Sequence, residues 1–82
     1  MQDPVYKLTI TPQPLRAGGQ FTIEYSGPPG TVIELDWGVE PAPEPSSVTI
    51  GKDGKATGTV PQGVDGLLAY DQWGNKVSEV VH

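Results

Sequence analysis

The chain has 82 residues, ten acidic against five basic side chains, a net charge of −5 and no cysteine. This length allows one domain with a small core, so we treat residues 1–82 as a single domain. The lack of cysteine excludes disulfides and thiolate metal sites, and the acidic charge argues against nucleic acid and anionic membranes as partners.

Three segments in the first half of the chain alternate strictly between apolar and polar residues. They read VYKLTIT, QFTIEYS and VIELDW. The apolar residues that share a face are Tyr6, Leu8 and Ile10, then Phe21, Ile23 and Tyr25, then Ile33, Leu35 and Trp37. A two-residue period is typical of a β-strand with one buried face, and turns rich in proline and glycine separate the segments.

The segment GVEPAPEPSS, residues 38–47, follows the third strand and carries Pro41, Pro43 and Pro45 at alternate positions. Prolines at this spacing favour an extended polyproline conformation and exclude a central strand. We interpret the segment as a connection that crosses between two sheets or protects an edge. The alternative is an arm that lies on a neighbouring molecule, which makes the three prolines candidate contact residues.

Residues 48–60, VTIGKDGKATGTV, are predicted to form a hairpin around the turn GKDG. A glycine bulge in this turn would pair Ile50 with Ala56 and Val48 with Gly58, which keeps the apolar residues on one face. Ala56 and Gly58 are small and would leave room for a bulky neighbour from a facing sheet.

The last two predicted strands, GLLAY and KVSEVV, flank the loop DQWGN, residues 71–75. In the first of them Leu68 and Tyr70 share one face and Leu67 and Ala69 share the other, so this strand is apolar on both sides. Whichever pair lies outside leaves an apolar outer face, which is typical of a covered surface or a binding surface.

Trp73 lies in the same loop, and two hypotheses explain it. In the first, Trp73 forms a contact surface for another protein together with Tyr70 or Leu68, because large aromatic residues bury much area at low entropic cost. In the second, Trp73 folds back as a lid over one end of the domain, because a small core needs every aromatic residue.

Seven short strands and frequent turns predict an all-β fold, a small antiparallel immunoglobulin-like β-sandwich. A small open barrel is the competing architecture. Three parts of the chain also carry a family pattern: LTITPQPLRAGGQFTIEYSGPPGTVIEL, VTIGKDGKATGTVP and AYDQWGNKVSEVV.

In order and spacing these parts resemble the bacterial and phage immunoglobulin-like domains found in surface proteins, adhesins and virion proteins. They cover most of the chain apart from residues 36–47. The resemblance implies the sandwich fold, a role in spacing, decorating or binding, and loop-shaping roles for Asp71 and Asn75. The position of Trp73 is usually small or polar in that family, so this residue departs from the pattern.

Candidates for catalysis and metal binding are few. The only histidine is His82, the last residue, so the serines have no fixed base. We interpret Glu34 and Asp36 as residues on the solvent-exposed face of a strand rather than as a catalytic pair. The turn aspartates are Asp53, Asp65 and Asp71. Such residues bind Ca²⁺ in some proteins but more often shape their own turns, so we expect no metal site, no cofactor and no enzyme activity.

These observations favour a non-enzymatic protein-interaction module. The leading hypothesis is a phage virion accessory protein of the capsid-decorating kind, located on the virion and bound to a structural protein or to its own copies. The N-terminus lacks the features of a signal peptide, which leaves two explanations: a complete protein that the Sec route never exports, or a module cut from a larger secreted protein. We favour the first, because no purification tag is visible. The alternatives are an extracellular spacer or adhesin module of a bacterial surface or secreted protein, and a carbohydrate-binding module that stacks sugars on Trp73, Tyr70 and Trp37.

Overall fold

The structure, a computed structural model, describes residues 3–82. This range contains seven strands and no helix, and hence no helix long and apolar enough to cross a membrane. The strands are β1 (Leu8–Thr11), β2 (Gln20–Tyr25), β3 (Val32–Asp36), β4 (Ser47–Thr49), β5 (Lys55–Thr59), β6 (Gly66–Tyr70) and β7 (Lys76–Val80).

The strands form two antiparallel sheets. One sheet has three strands in the order β1-β2-β5, and the other has four in the order β4-β3-β6-β7. The predicted all-β sandwich of about seven strands is therefore confirmed. In immunoglobulin constant-type domains the fourth strand belongs to the sheet of the first, second and fifth strands. Here β4 pairs with β3 instead, which leaves the outer edge of β5 without the neighbour that a constant-type domain provides.

The core lies between the two sheets and uses alternate residues of the strands. Its members are Leu8, Ile10, Leu15, Phe21, Ile23, Tyr25, Ile33, Leu35, Trp37, Ile50, Ala56, Val60, Val64, Leu67, Ala69 and Val81. The predicted inward faces of the first three segments are confirmed, with Tyr6 half-buried against this cluster. The rings of Phe21 and Trp37 meet edge to face, with centroids 5.8 Å apart, and so link the two sheets. Burying each such large side chain stabilises the fold by roughly 1.5–3 kcal/mol.

The hairpin predicted over residues 48–60 forms only at its turn, where Gly54 has a positive φ and the N–H of Gly51 donates to the carbonyl of Lys55 over 3.0 Å. The predicted pairing of the two strands beyond the turn is wrong. Val48 of β4 lies opposite Ile33 of β3, and Ala56 of β5 lies opposite Ile23 of β2, so the two strands belong to different sheets. The turn between them, residues 51–54, crosses from one sheet to the other. Alternation could not reveal this difference, because the same side chains point inward whether the strand pairs within one sheet or joins the opposite one.

The space beside Gly58 is filled by a residue of its own sheet, not of the facing sheet. Gly58 lies opposite Phe21 of β2, in its own sheet, and a Cβ atom on Gly58 would lie 2.6 Å from Cζ of that ring. The expectation of a bulky neighbour from the facing sheet is therefore wrong. The missing side chain lets the Phe21 ring lie across the strand and reach Trp37.

The proline-rich segment joins β3 to β4, which are neighbours in one sheet, so the predicted crossing between sheets is wrong. Its chain returns alongside β3, where the indole Nε1–H of Trp37 donates to the carbonyl oxygen of Pro45 over 2.7 Å. Pro43 and Pro45 are half-buried, whereas Pro41 is exposed. The segment leads directly into β4, an edge strand, which agrees with the interpretation that it protects an edge.

The N-terminal segment and the last residues lie beside opposite ends of β7. The N–H of Tyr6 donates to Oδ1 of Asn75, at the turn before β7. Beyond the far end of β7, the N–H of Leu15 donates to the carbonyl of Val80 over 2.9 Å, and the N–H of His82 donates to the carbonyl of Leu15 over 2.8 Å. Leu15 thereby forms a parallel bridge with the last residues of the chain.

Candidate protein interface

The side chains of the four-stranded sheet that point away from the core form a surface that we call the outer sheet face. It consists of Val32, Glu34, Asp36, Ser47, Thr49, Leu68, Tyr70, Lys76, Ser78 and Val80. The register arranges these residues in rows across the sheet. Asp36, Leu68 and Ser78 form one row, and Glu34, Tyr70 and Lys76 form the next.

Large apolar groups are exposed on this face. Val80 is 55% exposed, Val32 47% and Tyr70 39%. Leu68, on β6, is half-buried. Val39, in the loop after β3, adds a further side chain that is 39% exposed. Single exposed apolar residues are common on protein surfaces, but several of them on one sheet face are typical of an interaction site.

The outer face of the three-stranded sheet has the opposite character. It consists of Thr9, Thr11, Gln20, Thr22, Glu24, Lys55, Thr57 and Thr59. Three of its threonines, Thr11, Thr22 and Thr57, lie directly opposite one another on neighbouring strands. Nζ of Lys55 lies 3.6 Å from Oε1 of Glu24, so these two charges pair with each other. In contrast to the outer sheet face, this surface carries only polar side chains.

A shallow groove of about 480 Å³ runs along the end of the outer sheet face beside Leu68. Val39 and Val80 supply apolar walls, and Asp36 and Asp65 supply acidic ones. Such a groove suits an apolar side chain that carries a basic group, because its lining combines apolar and acidic side chains.

The second notable cluster surrounds Asp71, the one buried charged residue in the part of the chain that the structure describes. Its carboxylate accepts four hydrogen bonds: one from the Tyr25 hydroxyl (2.5 Å), one from the Asn75 side-chain amide (2.8 Å), and one each from the backbone N–H groups of Trp73 and Asn75 (2.9 Å). Burial opposes ionisation of the carboxyl, but these hydrogen bonds outweigh it and hold the pKa of Asp71 below its ordinary value. Burial and the bond to Asp71 raise the pKa of the Tyr25 hydroxyl.

This cluster shapes the turn before β7 and fastens the N-terminal segment to it. The Asn75 amide donates to the carbonyl of Pro4 over 3.1 Å, while its oxygen accepts from the N–H of Tyr6. The Tyr6 ring meets the rings of both Tyr25 and Trp73 edge to face, each at 5.5 Å between centroids. Through these hydrogen bonds Asp71 and Asn75 shape the turn before β7.

The residues singled out from the sequence lie in three separate places. Leu68 and Tyr70 share the outer sheet face, because Leu67 and Ala69 are the pair that faces the core. Trp73 is half-buried at one end of the sandwich, in contact with Tyr6, which agrees with the lid hypothesis. The prolines lie at the other end, where β3 finishes.

Sequence reasoning did not identify Val32, Val39 and Val80 as surface residues. The segment KVSEVV carries valines at both parities, so its outward face could be chosen only once the pairing of Val80 with Gly66 was known. Trp37, one of the three aromatic residues considered for stacking on sugars, is only 4% exposed and is not available for that role.

Two other kinds of site were considered from the sequence, a catalytic carboxylate pair and a metal site. Glu34 and Asp36 are exposed on the outer sheet face, next to Tyr70 and Leu68 rather than in a closed cleft. Within residues 3–82, no three acidic or histidine side chains come together in a way that would hold a metal ion.

No family of known proteins, no characterised protein and no solved structure matches the chain.

Proposed function

We propose that the chain is a non-enzymatic protein-interaction module that binds a structural protein through the outer sheet face. The observation that supports this proposal is the contrast between the two sheets. One outer face is wholly polar, whereas the other exposes Val32, Tyr70 and Val80 around Leu68. A domain that lies on a larger assembly with one side and meets water with the other has this division of surface.

The specific form of this function that we propose is a virion accessory protein of a phage, one that decorates a capsid lattice. The resemblance to immunoglobulin-like modules of virion proteins supports it. Tyr70, with Leu68 beside it on β6, would supply the desolvated centre of the contact, because aromatic residues are enriched among those that contribute most binding energy. Glu34, Asp36 and Lys76 would lie at the rim, where charges set orientation and association rate rather than affinity.

Co-sedimentation with virus particles purified from the source of the chain tests this proposal. The variant Tyr70→Ala/Val80→Ser should bind at least about tenfold more weakly, because it removes two exposed apolar side chains of the face, Tyr70 beside its centre and Val80 at the edge. Thr9→Ala, on the polar face, and Trp73→Ala, at the end of the sandwich, should bind like the wild type. Trp73→Ala should instead lower the melting temperature, because its ring packs on Tyr6.

Two results would contradict the proposal. Wild-type protein that stays in the soluble fraction would exclude the virion role. Binding that is lost in Trp73→Ala but retained in Tyr70→Ala/Val80→Ser would move the contact from the outer sheet face to the end of the sandwich.

A spacer or adhesin module of a bacterial surface protein is the second candidate, and one observation favours it. The described ends of the chain lie beside opposite ends of β7, so domains joined to each end would line up in a row. Cell fractionation separates the two candidates: a spacer module should be recovered with the cell envelope or the medium, independently of any particle.

A further inference from the structure

Gly66 is a strand glycine that neither its backbone conformation nor the packing around it requires. It occupies an outward position of β6, opposite Val80 of β7, and its φ lies outside the left-handed region. A Cβ atom at this position would meet only the carbonyl oxygen of Glu79, at an ordinary contact distance of 3.4 Å. Gly58 differs, because there the Phe21 ring fills the space of the missing side chain.

The missing side chain of Gly66 opens the groove beside Leu68. Gly66 and Gly38 both line this groove, and a Cβ atom on Gly38 would meet no atom within 4 Å, so two positions of the lining carry no side chain. The apolar walls come from Val39 and Val80. Glycine weakens a strand, and it often marks a place where another molecule approaches the backbone closely. The groove therefore has the shape of a site that an outside group enters.

The charged residues that line the groove are all acidic. They are Asp36, Asp65 and Glu79, and no lysine or arginine among residues 3–82 lines it. In this part of the chain none of the three carboxylates forms an ion pair, since the one ion pair joins Lys55 to a glutamate of the other sheet.

Asp36 is held in place beside the groove. Its Oδ1 accepts a hydrogen bond from the N–H of Gly38 over 2.8 Å, and its second carboxylate oxygen has no partner within the described residues. An oriented carboxylate next to apolar walls is a ready acceptor for a cationic donor.

We propose that this groove receives a long basic side chain, arginine or lysine, of the structural protein that binds the outer sheet face. The inference rests on the proposed function and names the group of the partner that enters this face. The methylene stem of the basic residue would lie between Val39 and Val80, over Gly66. Its cationic head would reach the carboxylates of Asp36 and Asp65.

Charge complementarity selects this occupant over the others. An acidic or phosphate-bearing group would be repelled by the carboxylates of the lining. A wholly apolar side chain would cover the same carboxylates without pairing them. A second copy of this chain would bring its own net charge of −5 toward them.

Chemical-shift titration of the full chain by NMR tests the proposal, with N-acetyl-arginine-N-methylamide and N-acetyl-lysine-N-methylamide as probes. Both should give saturable shifts centred on the amides of Gly66 and Leu68, with a Kd in the millimolar range that rises with salt concentration. The citrulline analogue has nearly the shape of the arginine probe but no charge. It should bind at least about tenfold more weakly, because the charge-assisted hydrogen bonds are lost.

Two variants locate the binding in the groove. Gly66→Val fills the floor with a side chain that strands favour, so it should weaken probe binding at least about tenfold without lowering the melting temperature. Asp36→Asn/Asp65→Asn keeps the shape and the acceptor oxygens but removes two charges, and it should weaken binding to a similar extent. Glu24→Gln/Asp53→Asn is the matched control, because it removes two carboxylates that do not line the groove, and it should bind like the wild type.

Equal binding of the citrulline analogue would overturn the proposal. So would a lack of saturable shifts, or binding that both groove variants leave unchanged. No particle enters these measurements, so their failure leaves the proposed contact of the outer sheet face with a structural protein standing. Conversely, a wild type that binds both probes but stays in the soluble fraction during co-sedimentation would contradict the virion role alone.

Discussion

Asp71 concentrates most of the buried polar chemistry of this small domain in one side chain. Its carboxylate orders the turn before β7 through two backbone N–H groups and holds Tyr25 from the opposite sheet. Through Asn75 the same cluster fastens the N-terminal segment. A buried carboxylate is stable in the ionised form only when hydrogen-bond donors surround it. Loss of either the charge or the donors should therefore destabilise the whole end of the sandwich that contains this turn.

Acid should destabilise the protein through this residue. The pKa of Asp71 lies below its ordinary value in the folded state, so the unfolded chain takes up a proton first as the pH falls. The free energy of unfolding that Asp71 contributes is therefore complete above the ordinary pKa of about 4 and is lost as the pH falls through the lower, folded-state pKa. Asp71→Asn should be less stable at neutral pH by about 1–3 kcal/mol and should lose less on acidification.

Urea denaturation at a series of pH values measures both effects. Asp53→Asn is the control, because Asp53 is exposed and accepts a single turn bond, from the N–H of Lys55. It should keep the acid dependence of the wild type. If Asp71→Asn instead showed the full wild-type slope below about pH 4, the acid dependence would belong to other carboxyls.

At the scale of elements, strand identity could be predicted from the sequence but strand pairing could not. The two-residue period located the strands and chose the buried faces around Phe21 and Leu35, because burial acts on each strand separately. Assignment of β4 and β5 to sheets depends on partners far away in the chain, and the turn GKDG is compatible with a hairpin or with a crossing. The candidate interface was found only in part for the same reason. Leu68 and Tyr70 stand out in a strand that is apolar on both faces, whereas Val80 can be assigned to the outer face only once the register of β7 against β6 is known.

Gly58 provides a test of how the three-stranded sheet packs. In Gly58→Ala the new methyl group would lie within 2.8 Å of two atoms of the Phe21 ring, which Trp37 confines from the other side. Overpacking of this kind should cost about 1–3 kcal/mol in thermal or urea unfolding. Gly66→Ala is the matched strand control, because its Cβ would be 3.4 Å from the nearest atom, the Glu79 carbonyl oxygen, and it should be close to neutral. Equal losses of stability in the two variants would show that the cost comes from replacing any strand glycine rather than from the contact with Phe21.

At the scale of the whole molecule, the two sheets give the proposed module two different sides. Tyr70 and Val80 lie on the side that we propose to meet the structural protein. The threonine-rich face of the three-stranded sheet would stay in water.

The parallel bridge at Leu15 has a mechanical consequence. The N-terminal segment leaves beside one end of β7 and His82 beside the other, so tension along β7 slides Leu15 past Val80 and His82 and strains both bridging bonds together. Single-molecule stretching through the two chain ends should therefore require a higher rupture force than stretching between Asp53→Cys and Gln72→Cys, which attach at one end and leave the bridge unloaded. Equal forces in the two directions would mean that the bridge bears no tension.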